Sequence, residues 1–146
     1  MNKTGGILLL FSTLCFSQQN QDIEKPVRNL FLAMKNADPV LLKSVFTENA
    51  ILQTVTKEGI VKSDNIQDFI ASVSKFTKGD LDERIHIEAI HTDGNLASVF
   101  TPYSFYRKDN LSHCGANSFQ LVKQNNEWKI QYIIDTRRKD NCREIK

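Results

Sequence analysis

The carboxyl-terminal stretch SHCGANSFQLVKQNNEWKIQYIIDTRRKDNC, residues 112–142, decides the fold. Its apolar residues alternate on both sides of Asn125-Asn126, a pattern that predicts two long strands joined by a hairpin turn. The favoured register puts the large apolar side chains on one face. The pairs expected from it are Leu121 with Ile130, Phe119 with Tyr132, Asn117 with Ile134 and Cys114 with Arg137. A bulge near Gly115 would shift the pairs beyond it.

The chain before this hairpin predicts further strands and, ahead of most of them, helices. Apolar residues at helical spacing indicate helices over 22–37, 40–46 and 65–76, the second of them begun by Asp38-Pro39. Strands are expected at 50–56, 83–91 and 96–107. Pro102 indicates an edge or a bulge in the last of these. The order predicts an α+β fold, with three N-terminal helices packed on a strongly curved antiparallel sheet.

Composition limits the class of partner. The chain has 146 residues, enough for one domain, and its hydrophobic content of 40% and charged content of 25% are ordinary for a globular protein. The net charge is only +2, and the densest basic cluster, 137–139, is short. A nucleic-acid partner is therefore not expected.

The first residues are typical of an export signal. Lys3 supplies a positive start, and 7–16 is an apolar core too short to span a bilayer. Small residues near Ser17 predict cleavage before Gln18, which gives a signal peptide at 1–17 and a single domain at 18–146. We expect a periplasmic or extracellular protein without a membrane span. A lipoprotein anchored through Cys15 is the disfavoured alternative, because Leu14 precedes the cysteine.

Removal of this leader would leave two cysteines, Cys114 and Cys142, in an oxidising compartment. An even number of cysteines in such a compartment favours a disulfide. The bridge would hold the carboxyl-terminal tail against the last hairpin.

The chain resembles the NTF2-like superfamily over about residues 22–142. The matching pieces are Asp38-Pro39, Phe46-Thr47, His113-Cys114-Gly115, Phe119-Gln120-Leu121-Val122, Trp128-Lys129-Ile130 and Asp135-Thr136-Arg137-Arg138. This resemblance implies a cystatin-like cone, the fold shared by ketosteroid isomerase and SnoaL-like cyclases. More narrowly, the chain is similar to the exported bacterial branch called "putative lumazine-binding" or nuclear transport factor 2 family. The cone implies a pocket, but one cone carries many functions.

Polar residues that interrupt the apolar lining of such a pocket are the site candidates. Asp135 follows two isoleucines, where an ionised carboxylate is costly without a partner, and Arg137 lies two residues on. The pair is either a structural ion pair or a functional one, with Asp135 as general acid or base and Arg137 as an anion anchor. His113 is the second catalytic candidate. Its neighbour Cys114 points to the opposite face, so a thiolate–imidazole pair is not expected.

The expected ligand-binding residues combine these polar groups with the aromatic residues of the strands. They are Tyr103, Tyr106, His113, Asn117, Phe119, Tyr132, Asp135 and Arg137. His86 and Glu88 share a strand face but form no metal set, so neither a metal nor a cofactor is expected. The first predicted helix lacks the tyrosine of the ketosteroid isomerase pattern, which disfavours a copied isomerase mechanism.

Three functions follow from these observations. The first is an exported domain that binds a small, partly apolar ligand in its cone without catalysis. The second is a cofactor-independent enzyme of the SnoaL or isomerase kind that uses Asp135 or His113 for proton transfer. The third is a non-catalytic homodimeric interaction module. The sequence leaves open whether any reaction is catalysed.

Overall fold

A computed structural model describes the backbone of residues 8–145 and the side chains of residues 18–145. The helices are α1 (Leu8–Asn36), α2 (Pro39–Ser44) and α3 (Ile66–Val73). The strands are β1 (Phe46–Val55), β2 (Val61–Asp64), β3 (Leu81–Ile85), β4 (Ala89–Asp93), β5 (Leu96–Arg107), β6 (Asn110–Gln124) and β7 (Glu127–Thr136). Residues 1–7 of the predicted signal peptide lie outside the described residues. Helix α1 begins within the remainder of that segment.

The strands form one curved sheet in the order β2-β1-β7-β6-β5-β3, and β4 also pairs with β5. The α+β class and the curved sheet predicted from the sequence are confirmed. The sheet is not wholly antiparallel, however, because β1 lies parallel to β7. The expectation of an antiparallel sheet was wrong at this one pairing, which joins strands that are distant in sequence.

The strand predicted over 83–91 is divided into β3 and β4, which pair with opposite ends of β5. Residues 86–88 stand opposite only 101–102, so the ladder bulges there. Pro102 lies in this irregular stretch and has no backbone N–H for the ladder. The bulge that the proline predicts is therefore present.

Side-chain caps set the beginnings of the two short helices. Asp38 accepts hydrogen bonds from the backbone N–H groups of Val40 and Leu41, both at 3.0 Å, and Pro39 is the first helical residue. Asn65 caps α3 in the same way, accepting from Gln67 at 2.8 Å. Such caps contribute about 1 kcal/mol each.

The hydrophobic core lies between α1 and the concave face of the sheet. The inward residues of α1 are buried at the predicted helical spacing, and they are Ile23, Val27, Leu30, Phe31 and Met34. Phe31 meets Phe119 of β6 edge to face, with ring centroids 6.1 Å apart. Burial of each such side chain stabilises the fold by roughly 1.5–3 kcal/mol.

The register of the last hairpin differs from the prediction beyond one pair. Leu121 faces Ile130 as expected, but the register then shifts by one residue. The observed pairs are Gln120 with Tyr132, Phe119 with Ile133 and Asn117 with Asp135. The predicted pairs of Phe119 with Tyr132 and Asn117 with Ile134 were wrong, because Gln131 is an extra residue in β7.

Hydrogen bonds from β1 hold this bulge. The Gln131 side-chain oxygen accepts from the Thr47 hydroxyl at 2.9 Å, and its amide nitrogen donates to the Asn49 carbonyl at 3.2 Å. The extra residue reverses the facing of everything that follows it. Ile133 and Asp135 therefore face the concave side of the sheet, and Tyr132 faces the convex side.

The predicted disulfide between Cys114 and Cys142 is confirmed, with the two Cα atoms 5.6 Å apart. Cys114 pairs with Arg138 rather than Arg137, a consequence of the same register shift. The tail then crosses the convex face, where Ser104 donates to the Arg143 carbonyl at 2.7 Å.

Within residues 8–145, no helix combines the length and the apolar character that a bilayer crossing requires.

Candidate functional site

A cavity of about 260 Å³ lies between the concave face of the sheet and helices α1 and α3. Its helical wall is apolar except for Ser72, and its sheet wall carries the other polar side chains together with apolar ones. The apolar lining includes Leu30, Phe31, Met34, Leu52, Phe69, Val73, Phe76, Leu81, Phe105 and Ile133. The polar lining consists of Asp64, Ser72, Glu83, His113, Asn117, Asp135 and Arg137.

Asp135 is buried, with 7% of its surface exposed, and it is fully engaged by its neighbours. One carboxylate oxygen accepts from the Thr54 hydroxyl at 2.5 Å. The other accepts from Nε of Arg137 at 2.8 Å and lies 3.4 Å from the Tyr103 hydroxyl. The bulge at Gln131 turns Asp135 inward, and its pairing with Thr54 on β1 supplies the first donor. These hydrogen bonds occupy both carboxylate oxygens of Asp135 and leave it little capacity to bind a ligand.

Tyr103 reaches Asp135 from across the sheet. Its hydroxyl also donates to the Thr136 carbonyl at 2.9 Å, and its ring passes over Gly115. Burial, with the charges of Glu83 and Asp135, raises the pKa of Tyr103 above its ordinary value. The hydroxyl therefore stays protonated and acts as a donor.

Glu83 of β3 provides a second carboxyl on the cavity wall. Its Oε1 accepts from the Asn117 amide nitrogen at 3.0 Å, and the same nitrogen lies 3.3 Å from the Thr101 hydroxyl. Burial raises the pKa of Glu83 to about 7, although the hydrogen bond from Asn117 acts in the opposite direction. The charge of Asp135 adds to the increase, and the charge of Arg137 acts against it. Glu83 thus changes charge near neutral pH.

Glu83 was not among the predicted site residues, although the sequence contains a signal for it. Residue 83 has the same strand parity as Ile85 and Ile87, the apolar residues of that predicted strand. A carboxylate on the same face as buried apolar residues costs free energy unless it is paired or hydrogen-bonded. Glu88, the acid that was predicted to share a strand face with His86, is exposed instead.

His113 lies half-buried between two aromatic rings. Its ring centroid is 4.9 Å from that of Phe105 and 5.7 Å from that of Tyr103, and Nδ1 lies 3.2 Å from the Ser112 hydroxyl oxygen. Burial lowers the pKa of His113, and the charge of Arg137 lowers it further. The imidazole is therefore neutral at neutral pH.

Of the expected ligand-binding residues, the structure brings His113, Asn117, Asp135 and Arg137 to the cavity wall, and Tyr103 contacts Asp135. The other three are not among the residues that line this cavity. Phe119 is buried in the core against Phe31, and Tyr132 donates to the Gln53 side chain at 2.7 Å. Tyr106 packs beneath the Arg84 guanidinium.

A register change explains the position of Tyr132, which the bulge at Gln131 turns to the convex face. Tyr106 lies three residues after Tyr103 on β5, so the alternation of the strand turns these two side chains to opposite faces. Among the described residues, no cluster of His, Cys, Asp and Glu side chains is arranged to hold a metal ion. The Cys114 sulfur is committed to its disulfide.

A larger cleft, of about 460 Å³, lies outside the cone between α1 and the β6–β7 hairpin. Pro26, Val45 and Trp128 are the buried residues of its lining. Of its charged residues, Asp22, Lys25 and Glu127 are exposed to solvent, and Lys123 and Lys129 are half-buried. A ligand there would compete with water at most of its polar contacts, so we favour the cone cavity as the site.

Comparison with known proteins gives one family and a consistent fold. The model of the family described as "putative lumazine-binding" matches residues 18–132. An NTF2-like protein of unknown function from Silicibacter pomeroyi superposes with a TM-score of 0.70 at 16% identity, covering 84% of this chain and 98% of that one. An NTF2-like protein with a cystatin-like fold from Novosphingobium aromaticivorans superposes with a TM-score of 0.69 at 11% identity, covering 94% of each chain.

A third solved structure agrees with these two. The NTF2-like protein of unknown function from Shewanella baltica gives a TM-score of 0.68 at 16% identity, covering 84% of this chain and 96% of that one. At such identities the likeness shows the fold alone. No curated protein matches the chain.

Proposed function

Because the chain belongs to the family described as "putative lumazine-binding", within the NTF2-like superfamily, we propose that it binds a small, partly apolar molecule in its cone. The observation that carries this proposal is the cavity of about 260 Å³, which has a largely apolar helical wall and polar side chains on its sheet wall. Small-molecule sites generally have this mixture, in which apolar surface supplies affinity and a few polar groups fix orientation.

The aromatic and the polar side chains of the lining divide these tasks. Phe69, Phe76 and Phe105 offer aromatic surface to the apolar part of a ligand. Glu83 and Asn117 offer hydrogen-bonding groups that are already held in place by each other. A ligand therefore meets a preformed polar group and loses little free energy in ordering it.

A probe with both parts tests this proposal. We expect 3-phenylpropanol to bind the full chain, as measured by titration calorimetry. Ser72→Trp should block binding, because Ser72 lies at the exposed edge of the cavity lining and an indole there would obstruct the cavity. Ala71→Trp is the matched control, since Ala71 is the preceding residue of α3, is exposed and does not line the cavity. Equal binding by the two variants would contradict the proposal.

Proton transfer is a second candidate function, and the environment of Glu83 favours it. A carboxyl that titrates near neutral pH is suited to general acid–base work. Glu83 is better suited than Asp135, whose oxygens are occupied by Thr54 and Arg137. The test is exchange of the α-protons of bound 4-phenyl-2-butanone with heavy water, followed by NMR. Exchange no faster than in buffer, or unchanged in Glu83→Gln, would contradict this role.

The disulfide bears on the compartment in which the protein works. The bridge between Cys114 and Cys142 is consistent with an oxidising environment. It supports the proposal that the chain is exported, with 1–17 as its leader and 18–146 as the working domain. Mass spectrometry of the mature protein from its host should give an amino terminus at Gln18.

The convex face of the sheet supports the third function, self-association. Ile51 and Phe100 are exposed there, outside the region that the tail covers. Large exposed apolar side chains often mark a contact surface. We propose that a homodimer forms through this face. Sedimentation should show a dimer for the full chain and a monomer for Phe100→Lys, and a wild-type monomer would contradict the idea.

A further inference from the structure

We infer that the molecule bound in the cone is a small organic cation, an amine with an apolar body, whose ammonium group pairs with Glu83. The inference rests on the proposed function and adds the charge of the ligand to it. Its basis is the balance of charges on the cavity wall, together with the aromatic surface opposite them.

The cavity wall carries more acid than base. Glu83, Asp135 and, at the exposed end of β2, Asp64 are its carboxyl groups. Arg137 is the one residue with a permanent positive charge among its described lining residues. An anionic ligand would therefore enter a site whose net charge repels it.

The positive charge of Arg137 is already committed. Its Nε donates to Asp135 at 2.8 Å, so these two groups neutralise each other. Among the described residues, Glu83 has no cation within salt-bridge distance, and its hydrogen-bond donor is the neutral amide of Asn117. The acid left without a counter-ion faces the space that a ligand would fill.

Among the side chains of residues 18–145, no other group near Glu83 supplies that counter-ion. The helical lining comes from α1 and α3 and consists of uncharged residues. On the sheet side, the titratable neighbours are His113, Tyr103, Asp135 and Arg137. His113 is neutral at neutral pH, since burial and Arg137 both lower its pKa. The missing charge must therefore come from solvent, as a proton, or from the ligand.

Aromatic rings complete the site for a cation. Phe69 and Phe105 line the same cavity as Glu83. Phe76 also lines it, but the Arg107 guanidinium already lies over the Phe76 ring, 5.2 Å from its centroid. The face of an aromatic ring attracts an ammonium group, and the gain is greatest where water is excluded. The same rings provide apolar surface for the hydrocarbon part of an amine.

Binding of an amine would displace the proton of Glu83. The carboxyl group releases H⁺ to solvent, and the ammonium group of the ligand pairs with the carboxylate that remains. The pKa of Glu83 is about 7 in the free protein, so this exchange becomes easier as the pH rises through neutrality. A neutral ligand that accepts a hydrogen bond from the protonated carboxyl would show the opposite trend, with weaker binding at higher pH.

Three probes with the same ring and chain test the inference on the full protein. They are 3-phenylpropylamine, 3-phenylpropanol and 3-phenylpropionate, measured by titration calorimetry. We expect the amine to bind most tightly and its affinity to rise about tenfold between about pH 6 and about pH 8. Titrations in buffers of different ionisation enthalpy should show release of a proton at about pH 6.

Glu83→Gln keeps the shape of the side chain and removes the charge. It should abolish both the preference for the amine and the pH trend. Glu88→Gln is the matched control, because Glu88 is exposed and does not line the cavity, and it should change neither. Circular dichroism establishes that both variants fold. If Glu83→Gln does not fold, the pH trend of the wild type still decides the matter.

The outcomes separate this inference from the proposed function. If the alcohol binds as tightly as the amine, or the propionate binds most tightly, the cation is refuted and the cavity remains the site. If the amine binds more weakly as the pH rises, Glu83 acts as a neutral donor and the inference is again refuted. If none of the three probes binds the folded protein, both the inference and the proposed function are refuted.

Discussion

The carbonyl oxygen of Thr136 lies 1.8 Å from the point where a β-carbon on Gly115 would stand. The Tyr103 ring lies 2.8 Å from the same point. Gly115 therefore allows β7 and the Tyr103 ring to approach the backbone of β6 closely. This approach brings the Tyr103 hydroxyl to Asp135 at the wall of the cavity.

Gly115→Ala should destabilise the protein because the added methyl group meets backbone rather than a flexible side chain. We expect a loss of about 3 kcal/mol or more in the free energy of unfolding, at the upper end of overpacking costs. Urea denaturation measures it. Ala116→Gly is the control at the next position, where loss of a β-carbon costs only about 0.5–1 kcal/mol. Similar losses in the two variants would show that the close approach is absent.

Removal of the disulfide should destabilise the whole domain. Cys142→Ser opens a loop with a sequence separation of 28 residues, for which the chain-entropy model gives about 3–4 kcal/mol. Dithiothreitol should lower the denaturation midpoint of the wild type to that of the variant and should leave the midpoint of the variant unchanged. A wild-type denaturation midpoint that does not change when dithiothreitol is added would contradict a bridge between Cys114 and Cys142.

Asp135→Asn should affect stability more than binding. The variant loses the charge that pairs with Arg137, and the side chain of that arginine is half exposed, so we expect a loss of about 2 kcal/mol. Asp140→Asn is the control, since Asp140 pairs with Lys57 only at the exposed surface and should cost almost nothing.

The affinity of the folded Asp135→Asn variant for 3-phenylpropanol should stay within about twofold of the wild type. The reason is that Asp135 already accepts from Thr54 and Arg137, and so has little left to offer a ligand. Unchanged stability with a large loss of affinity would instead assign Asp135 to ligand binding.

Stability should depend on pH through Glu83. The pKa of this carboxyl is about 7 in the folded state and near 4.5 in the unfolded chain, so the folded state binds the proton more tightly. The resulting stabilisation is fully present below about pH 4.5 and is lost as the pH rises through about 7. The loss is of the order of 3 kcal/mol.

His113 acts in the opposite direction over part of this range, because its pKa is lowered by burial and its contribution is lost as the pH falls. The difference between wild type and Glu83→Gln isolates the carboxyl. The variant should gain stability relative to the wild type from about pH 5 to about pH 8. If the difference in unfolding free energy between the wild type and Glu83→Gln does not change with pH, the Glu83 carboxyl is not shielded from water.

Local sequence patterns were sufficient for much of the fold. The Asn125-Asn126 turn, the cap at Asp38 and the pairing of Cys114 with Cys142 all depend on neighbours or on simple counting, and all three are present. The bulge at Gln131 was not predictable in this way. Its support comes from Thr47, which lies 84 residues away in sequence, so no local pattern contains it.

The missed bulge explains most of what the sequence failed to show of the site. Continued alternation along β7 turns Tyr132 and Ile134 inward, whereas the extra residue turns Ile133 and Asp135 inward instead. Glu83 is a different case. Its position in phase with Ile85 was visible, but its partner Asn117 lies on a strand that β5 separates from β3.

The most direct test is the set of NMR contacts between 3-phenylpropanol and the side chains of the full protein. Binding in the cone predicts nuclear Overhauser effects from the probe's ring protons to Met34, Phe69 and Phe105, which line the cavity. Effects confined to Pro26 and Trp128 would place the probe in the larger cleft outside the cone and would contradict the proposed site.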